Sequence, residues 1–184
     1  MTFSDSIVRE AVALCLFTAL GAQAQTTESA VHNWQPCPDV LAESGAAAPA
    51  KDKQWDLTLA PHAHHWNYNP EHRPVFLGAI DRRVNGNRFC GLALFRNSFG
   101  QPSAYAYVGK RWDNLLGNPH LFGKVSAGLI YGYKDKYQNK IPFNDYGVAP
   151  AIIPSLGYSF TRDDSMQVMV LGTAGLLFSY GRSF

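Results

Sequence analysis

Apolar and polar residues alternate with a period of two from about residue 54 to the end of the sequence. The clearest case is residues 121–131, where one face is apolar and the other carries a lysine and small residues. The two faces are Leu121, Gly123, Val125, Ala127, Leu129 and Tyr131, and Phe122, Lys124, Ser126, Gly128 and Ile130. Such alternation over about ten residues is typical of a transmembrane β-strand.

The pattern predicts eight strands separated by turn signals. The predicted strands are residues 54–68, 74–83, 88–96, 104–112, 121–132, 145–153, a seventh from 156–161 extending into 166–172, and 175–184. Asn85-Gly86-Asn87 favours a tight turn, and shorter connections are also expected near 114–119 and 162–165. Longer loops are expected at 69–73, 97–103 and 134–144. Short turns alternating with longer loops are typical of bacterial outer-membrane barrels.

We therefore predict an all-β fold, an eight-stranded antiparallel transmembrane barrel with an irregular N-terminal arm. Aromatic residues near the strand ends suit a girdle at the membrane interface; they are Trp55, Trp66, Tyr68, Trp112, Tyr131 and Tyr133. A soluble sandwich gives similar alternation. A soluble, lipocalin-like carrier would need polar outward faces, and the apolar face of residues 121–131 argues against it.

Composition narrows the class of protein further. Only 16% of the residues are charged and the mean hydropathy is −0.16, with no apolar run long enough to span a bilayer as a helix. The net charge of +2 is too small to indicate a nucleic-acid partner. Nothing in the sequence indicates an oligomer, so we expect a monomer.

The N-terminal residues resemble an export signal. An apolar run at 11–22 is followed by Ala22-Gln23-Ala24, which predicts a signal peptide over 1–24, an arm over 25–53 and the barrel over 54–184. The alternative for the first segment is a buried helix. Cys37 and Cys90 then allow one disulfide bridge, which the sequence alone leaves open. The final Phe184 fits an outer-membrane assembly signal.

Several segments together resemble the lipid A palmitoyltransferase (PagP) family. They are Leu59-Ala60-Pro61-His62-Ala63-His64-His65-Trp66, Phe95-Arg96-Asn97-Ser98-Phe99-Gly100 with the aromatic strand that follows, and Ile153-Pro154-Ser155-Leu156-Gly157-Tyr158. The resemblance implies an outer-membrane enzyme without a cofactor, which transfers palmitate from a phospholipid to lipid A. The family carries an Asp-Ser pair where this sequence has Asn97-Ser98, so the charge is missing here.

Acyl transfer needs a base, and histidine suits that role near neutral pH. Strand parity directs His62 and His64 inward and His65 outward unless a bulge intervenes. His64 is thus the expected base, with His62 and His65 as alternatives, and Ser98 with Asn97 would bind or polarise the reacting group. The three histidines could instead hold a metal or lie at the membrane interface, and Ser98 could be a turn residue. We expect neither a metal nor another cofactor.

Two further features concern lipid. Pro142, Pro150 and Pro154 lie where a closed sheet disfavours proline, so they either mark strand ends or open the wall to lipid. A set of cations could meet lipid phosphates at the outer leaflet: Arg96, Lys110, Arg111, Lys134, Lys136 and Lys140. The alternative functions are a non-enzymatic barrel that binds an apolar ligand or stabilises the membrane, and a deacylase, for which no His-x-Ser pair is present.

Overall fold

A computed structural model describes residues 37, 41, 44–49 and 53–184. The predicted signal peptide, residues 1–24, lies outside the described residues, as does most of the predicted arm. The described arm residues contain turns and short irregular pieces but no strand. No helix in the described part of the chain is long and apolar enough to cross a membrane.

Eight antiparallel strands close into a barrel in which each strand pairs with its neighbours in the sequence and β1 pairs with β8. The strands are β1 Trp55–His65, β2 Phe76–Val84, β3 Arg88–Arg96, β4 Pro102–Trp112, β5 Leu121–Tyr131, β6 Val148–Ser159, β7 Asp164–Val170 and β8 Gly175–Ser183. The predicted fold class is confirmed, and the third strand has the predicted bounds.

The connections divide between two ends of the barrel. The terminal end, where β1 begins and β8 finishes, carries the connections 85–87, 113–120 and 160–163. The loop end carries 66–75, 97–101, 132–147 and 171–174. Short 3-10 turns lie at Asn85–Asn87, Leu115–Gly117 and Asp135–Lys140. The tight turn predicted from Asn85-Gly86-Asn87 is confirmed, and the positive φ of Gly86 (74°) explains the glycine there.

The alternation of side chains sorts the wall into an inner and an outer face as predicted. Phe122 and Lys124 of β5 are buried inside, whereas Leu129 on the opposite face is exposed. Ile152 of β6 is 71% exposed, as a lipid-facing side chain should be. Trp112 lies at the terminal end and Trp66 and Tyr131 lie at the loop end, all exposed. Tyr133 is wrongly placed in the girdle, because it lines the interior cavity.

Charged side chains fill the interior toward the terminal end. Arg83 donates two hydrogen bonds to Asp56, at 2.7 and 2.6 Å, and Ser183 donates a third at 2.6 Å. One level higher, Lys124 donates to Asp81 at 2.6 Å, and Tyr107 donates to the same carboxylate. Each of these charges is paired and hydrogen-bonded, which offsets the free-energy cost of removing it from water.

The sixth and seventh strands differ from the prediction. A strand end was expected between 153 and 156, but β6 continues through Pro150 and Pro154, with every residue from Val148 to Tyr158 opposite β5. On its other side β6 pairs with β7 only from Ser155 to Ser159. Pro150 and Pro154 therefore lie in the half of β6 that pairs with β5 but not with β7. A proline is tolerated there because its missing N–H group is not needed on the unpaired side.

A disulfide joins Cys37 of the arm to Cys90 of β3, with the two Cα atoms 5.6 Å apart. The bridge that the sequence left open is therefore present. Because Phe89 and Ala93 point inward, strand alternation directs Cys90 to the outer face of the wall. Arg88 also donates a hydrogen bond to the carbonyl oxygen of Leu41, so two contacts fix this part of the arm to the start of β3.

Candidate functional site

An interior cavity of about 750 Å³ occupies the loop-end half of the barrel. Its walls are mostly apolar toward the loop end, and all eight strands contribute residues to its lining. The buried members are Leu77, Ala79, Ala93, Tyr105 and Leu177, and Phe95, Ile130 and Ile153 pack against them. Ala79 and Ala93 stand opposite each other on neighbouring strands, and their small side chains leave room in the wall. The size and lining suit a long apolar ligand.

The deep end of the cavity is polar. Its lining there includes Thr58, Asp81, Tyr107, Lys124 and Gln167. The Asp81 carboxylate is neutralised by Lys124, and the Asp56–Arg83 pair lies beyond the lining. The cavity is therefore closed toward the terminal end by paired charges and lined at the other end by loop residues.

A bulge in β1 decides which histidine faces this cavity. Leu59 pairs with Tyr180 of β8, but His62 pairs with Phe178, so one extra residue of β1 is accommodated between them. The parity that holds for Asp56, Thr58 and Ala60 reverses after the bulge. The prediction that His62 and His64 point inward is therefore wrong: both are exposed, and His65 lines the cavity.

His65 and Ser98 meet at the cavity mouth. The Nε2 atom of His65 lies 2.6 Å from the Oγ atom of Ser98 in a hydrogen bond that joins the end of β1 to the loop after β3. The ring of His72 lies against that of His65 at a tilt of 35°, with the ring centroids 4.0 Å apart, and Phe99 meets His72 edge-on at 5.5 Å. His65, rather than the expected base His64, therefore lies with Ser98.

Asn97 lies beside this pair but serves the loop. Its side chain is 1% exposed, and its Oδ1 atom accepts hydrogen bonds from the backbone N–H groups of Phe99 and Gln101, each at 3.0 Å. Its amide nitrogen is 3.4 Å from the carbonyl oxygen of Gly132. These contacts fix the loop that carries Ser98, so the structure gives Asn97 a positioning role.

Three loops interlock above the mouth. Lys136 donates to Glu71 at 2.8 Å, and Tyr137 stacks on Phe99 at 4.2 Å. The hydrogen bond from Lys136 holds the pKa of the Glu71 carboxyl below its ordinary value, and the same bond raises the pKa of Lys136. Burial raises the pKa of Tyr133 to about 12, so its hydroxyl stays protonated.

The cations predicted to meet lipid phosphates separate into two groups. Lys134, Lys136 and Lys140 lie in the loop 132–147 at the loop end, and Arg96 ends β3 there. Lys110 and Arg111 lie at the terminal end of β4, and the Arg111 guanidinium covers the Phe122 ring at 3.6 Å. The prediction that Lys110 and Arg111 lie with the loop-end cations is therefore wrong. β4 runs from the loop end to the terminal end, so these two residues lie at the opposite membrane face.

The three first-strand histidines do not come together as a set of metal ligands. In the described residues, no group of three or more His, Cys, Asp or Glu side chains is placed to hold a metal ion. His62 instead lies near Phe178 at 6.2 Å, and His64 meets Trp66 edge-on at 5.8 Å. These contacts place both exposed histidines among the aromatic residues of the outer face.

Sequence reasoning missed His72, Tyr105, Tyr107 and Gln167 as members of the site. The inward parity of Tyr105, Tyr107 and Gln167 was available from strand alternation, which could have placed them inside the barrel. His72 lies in a loop without periodicity, so no sequence signal placed it on His65.

Comparison with known proteins supports the fold. No family model matches the sequence, and no curated protein matches it. A de novo designed transmembrane β-barrel aligns with 75% of this chain and all of its own, with a TM-score of 0.54 and 11% identity. For the N-terminal β-barrel domain of Pseudomonas aeruginosa OprF the TM-score is 0.39 at 15% identity, over 70% of this chain and 95% of that one. The chain has the fold of a membrane-embedded, eight-stranded barrel.

Proposed function

We propose that this protein is an outer-membrane acyltransferase that moves a long acyl chain, palmitate by family resemblance, from a phospholipid to lipid A. The observation that carries the proposal is the His65–Ser98 hydrogen bond, which lies at the mouth of an acyl-sized cavity inside a membrane barrel. A barrel with only a structural role would be filled by its own side chains.

In this proposal the acyl chain lies in the cavity and its ester lies at the mouth. The Nε2 atom of His65 takes the proton from the attacking lipid A hydroxyl group, whose oxygen bonds to the ester carbonyl carbon. The bond from that carbon to the phospholipid oxygen then breaks, and the departing lysophospholipid takes the proton back from His65. Ser98 holds or polarises the reacting group through its hydroxyl. A general base in this position contributes about 10²–10⁴ to the rate.

Two places where neighbouring strands are only partly hydrogen-bonded support entry of lipid through the barrel wall. The loop-end half of β6, residues 148–154, has no partner on its β7 side within the described chain. The loop-end half of β1 is similar, because β1 pairs with β2 only as far as Ala60. Both sites adjoin the cavity at the level of its mouth. Strand edges that are unpaired can separate without loss of ladder hydrogen bonds.

One observation favours a second candidate, a barrel that binds an apolar ligand without transferring it. In the described residues His65 has a hydrogen bond to Ser98 and a ring contact with His72, and no hydrogen bond joins it to a carboxylate. Asn97 supplies no charge where the resembling family has aspartate. An imidazolium formed during transfer would thus be stabilised by fewer groups than in a His–Asp pair.

The deciding experiment is mass spectrometry of lipid A from cells that express the wild-type protein or the variants His65→Ala, Ser98→Ala and His64→Ala. The wild type and H64A should add the mass of one long acyl chain to lipid A. H65A should reduce the modified fraction by about 10²-fold or more. H64A is the matched control, because His64 is the neighbouring histidine and points outward.

The outcomes are distinct when the folded barrel is verified for each protein. No mass gain with the wild type would support the ligand-binding barrel. A mass loss would indicate a deacylase on the same scaffold. Full activity in both H65A and S98A would overturn the assignment of the site.

A further inference from the structure

We infer that the deep end of the cavity recognises a hydroxyl group at the buried end of its ligand, so that Gln167 selects chains with a polar terminus. The inference deepens the proposed function, because it takes a long acyl chain as the ligand. It rests on the floor of the cavity, whereas the proposed transfer rests on its mouth.

Gln167 carries the inference. Its side chain is 95% buried and lines the cavity, and its Oε1 atom has no hydrogen-bond partner among the described residues. The amide nitrogen is 3.5 Å from the Thr58 hydroxyl, at the limit of a hydrogen bond. A buried polar atom without a partner is rare in folded proteins and costs stability, so it calls for a partner from the cavity side.

Apart from Thr58, the polar neighbours of Gln167 hydrogen-bond to other groups. Lys124 donates to Asp81, and the Tyr107 hydroxyl donates to the same carboxylate. Ser179, adjacent on β8, donates to the backbone oxygen of Gln167 at 3.3 Å. The donors of Lys124 and Tyr107 near the floor are therefore engaged by Asp81, and Gln167, with Thr58 beside it, lines the part of the cavity where a chain from the mouth would end.

A hydroxyl group matches this site chemically. It can donate to Oε1 of Gln167 and accept a hydrogen bond in return, and the Thr58 hydroxyl lies on the other side to do either. A terminal methyl group would leave the amide unpaired, whereas a charged terminus would be desolvated beside the already neutral Lys124–Asp81 pair. The favoured ligand class is a long acyl chain that is hydroxylated at its far end.

The test measures binding by the purified, disulfide-intact barrel in a steroid-tailed detergent that is too bulky for the cavity. Calorimetric titrations compare plain fatty acids with ω-hydroxy fatty acids of the same length, over a series of lengths. The variants are Gln167→Met, which keeps the shape of the side chain, and Thr58→Val. Met169→Leu, on the same strand and in the same cavity, is the matched control.

The measured quantity is the Kd of the plain acid divided by the Kd of the hydroxylated acid, at the chain length that reaches the floor. This ratio should fall about tenfold from wild type to Q167M, which is the effect of losing one neutral hydrogen bond. T58V should lower the same ratio in the same direction, and M169L should leave it unchanged.

An unchanged ratio at every length would overturn the inference, since a water molecule under the chain would then satisfy Gln167. A hydroxyl preference that persists in Q167M would also overturn it. Binding requires no turnover, so an inactive protein that retains the preference would refute only the proposed transfer.

Discussion

The Asn97 amide shows how one buried side chain holds the loop 97–101 in shape. Its oxygen accepts two backbone hydrogen bonds across the turn 97–101 while its nitrogen faces the carbonyl oxygen of Gly132. An aspartate could reproduce the first two contacts but not the third, since a carboxylate has no N–H. Asparagine is thus fitted to this loop, at the position where the resembling family has aspartate.

Replacing Asn97 by alanine should lower the free energy of unfolding by about 1–3 kcal/mol, because it leaves the buried backbone donors of the turn unpaired. The measurement is urea unfolding from lipid bilayers. Asn118→Ala is the matched control: Asn118 accepts one backbone hydrogen bond from His120 at 2.9 Å in an exposed turn. Equal costs for the two variants would contradict the buried role of Asn97.

Residue-level prediction succeeded where alternation is regular and failed at one inserted residue. The inward faces of β5 and β8 follow from counting alone, and so do Asp56, Thr58 and Ala60 of β1. The alternation no longer predicts the inward face after the bulge beyond Leu59. As a result His65, and not His64, faces the cavity. A bulge depends on the register with β8, which is a long-range property that local sequence does not encode.

At the level of elements, the loop end behaves as an interlocked cover over the cavity. The loop 66–75 contacts the loop 132–147 through Glu71 and Lys136, and the loop 97–101 contacts the latter through Phe99 and Tyr137. Since all three pairs of strands below are fixed in the barrel, the side-chain contacts set how far the loops can separate.

The Glu71–Lys136 contact should loosen in acid. Because the pKa of Glu71 is lowered in the folded protein, the contact is complete above the ordinary glutamate pKa and is lost as the pH falls through the lowered value. Spin labels on Tyr68→Cys and Asn139→Cys should show a broader distance distribution at low pH. The change should be modest, since exposed ion pairs contribute little.

Glu71→Gln supplies the control for this prediction. It should give the broad distribution at every pH, with no further change in the acid range. A pH-dependent width that survives in E71Q would assign the change to another group.

Prediction of elements was accurate except around proline. Strand number, order and most bounds follow from period-two alternation and turn residues, as the identical bounds of β3 show. The expected interruption near Pro154 is wrong because β6 has one fully paired side, and proline is excluded only where its N–H would be needed. That condition depends on where β7 ends, which the residues of β6 do not specify.

At the level of the whole molecule, the disulfide ties the arm to the barrel wall. Cys37 and Cys90 are 53 residues apart in sequence, so the bridge closes a large loop that includes β1 and β2. In the chain-entropy model a loop of this size restricts the unfolded state by about 4 kcal/mol. The barrel itself is closed by β1 and β8 and does not depend on the bridge for its topology.

The double variant Cys37→Ser, Cys90→Ser should therefore lose up to about 4 kcal/mol of unfolding free energy. The measurement is urea unfolding from lipid bilayers, with and without reductant. Reductant should destabilise the wild type to the level of the double variant and leave that variant unchanged. A wild type that is insensitive to reductant, with the thiols shown to be free, would contradict the prediction.

The paired charges below the cavity have a consequence for conduction as well as for the ligand. The Asp56–Arg83 and Asp81–Lys124 pairs occupy the barrel between the cavity and the terminal end. Among the described residues, these four charged side chains fill the barrel below the cavity. A membrane barrel filled in this way should conduct ions poorly, which a conductance measurement across a planar lipid bilayer would check.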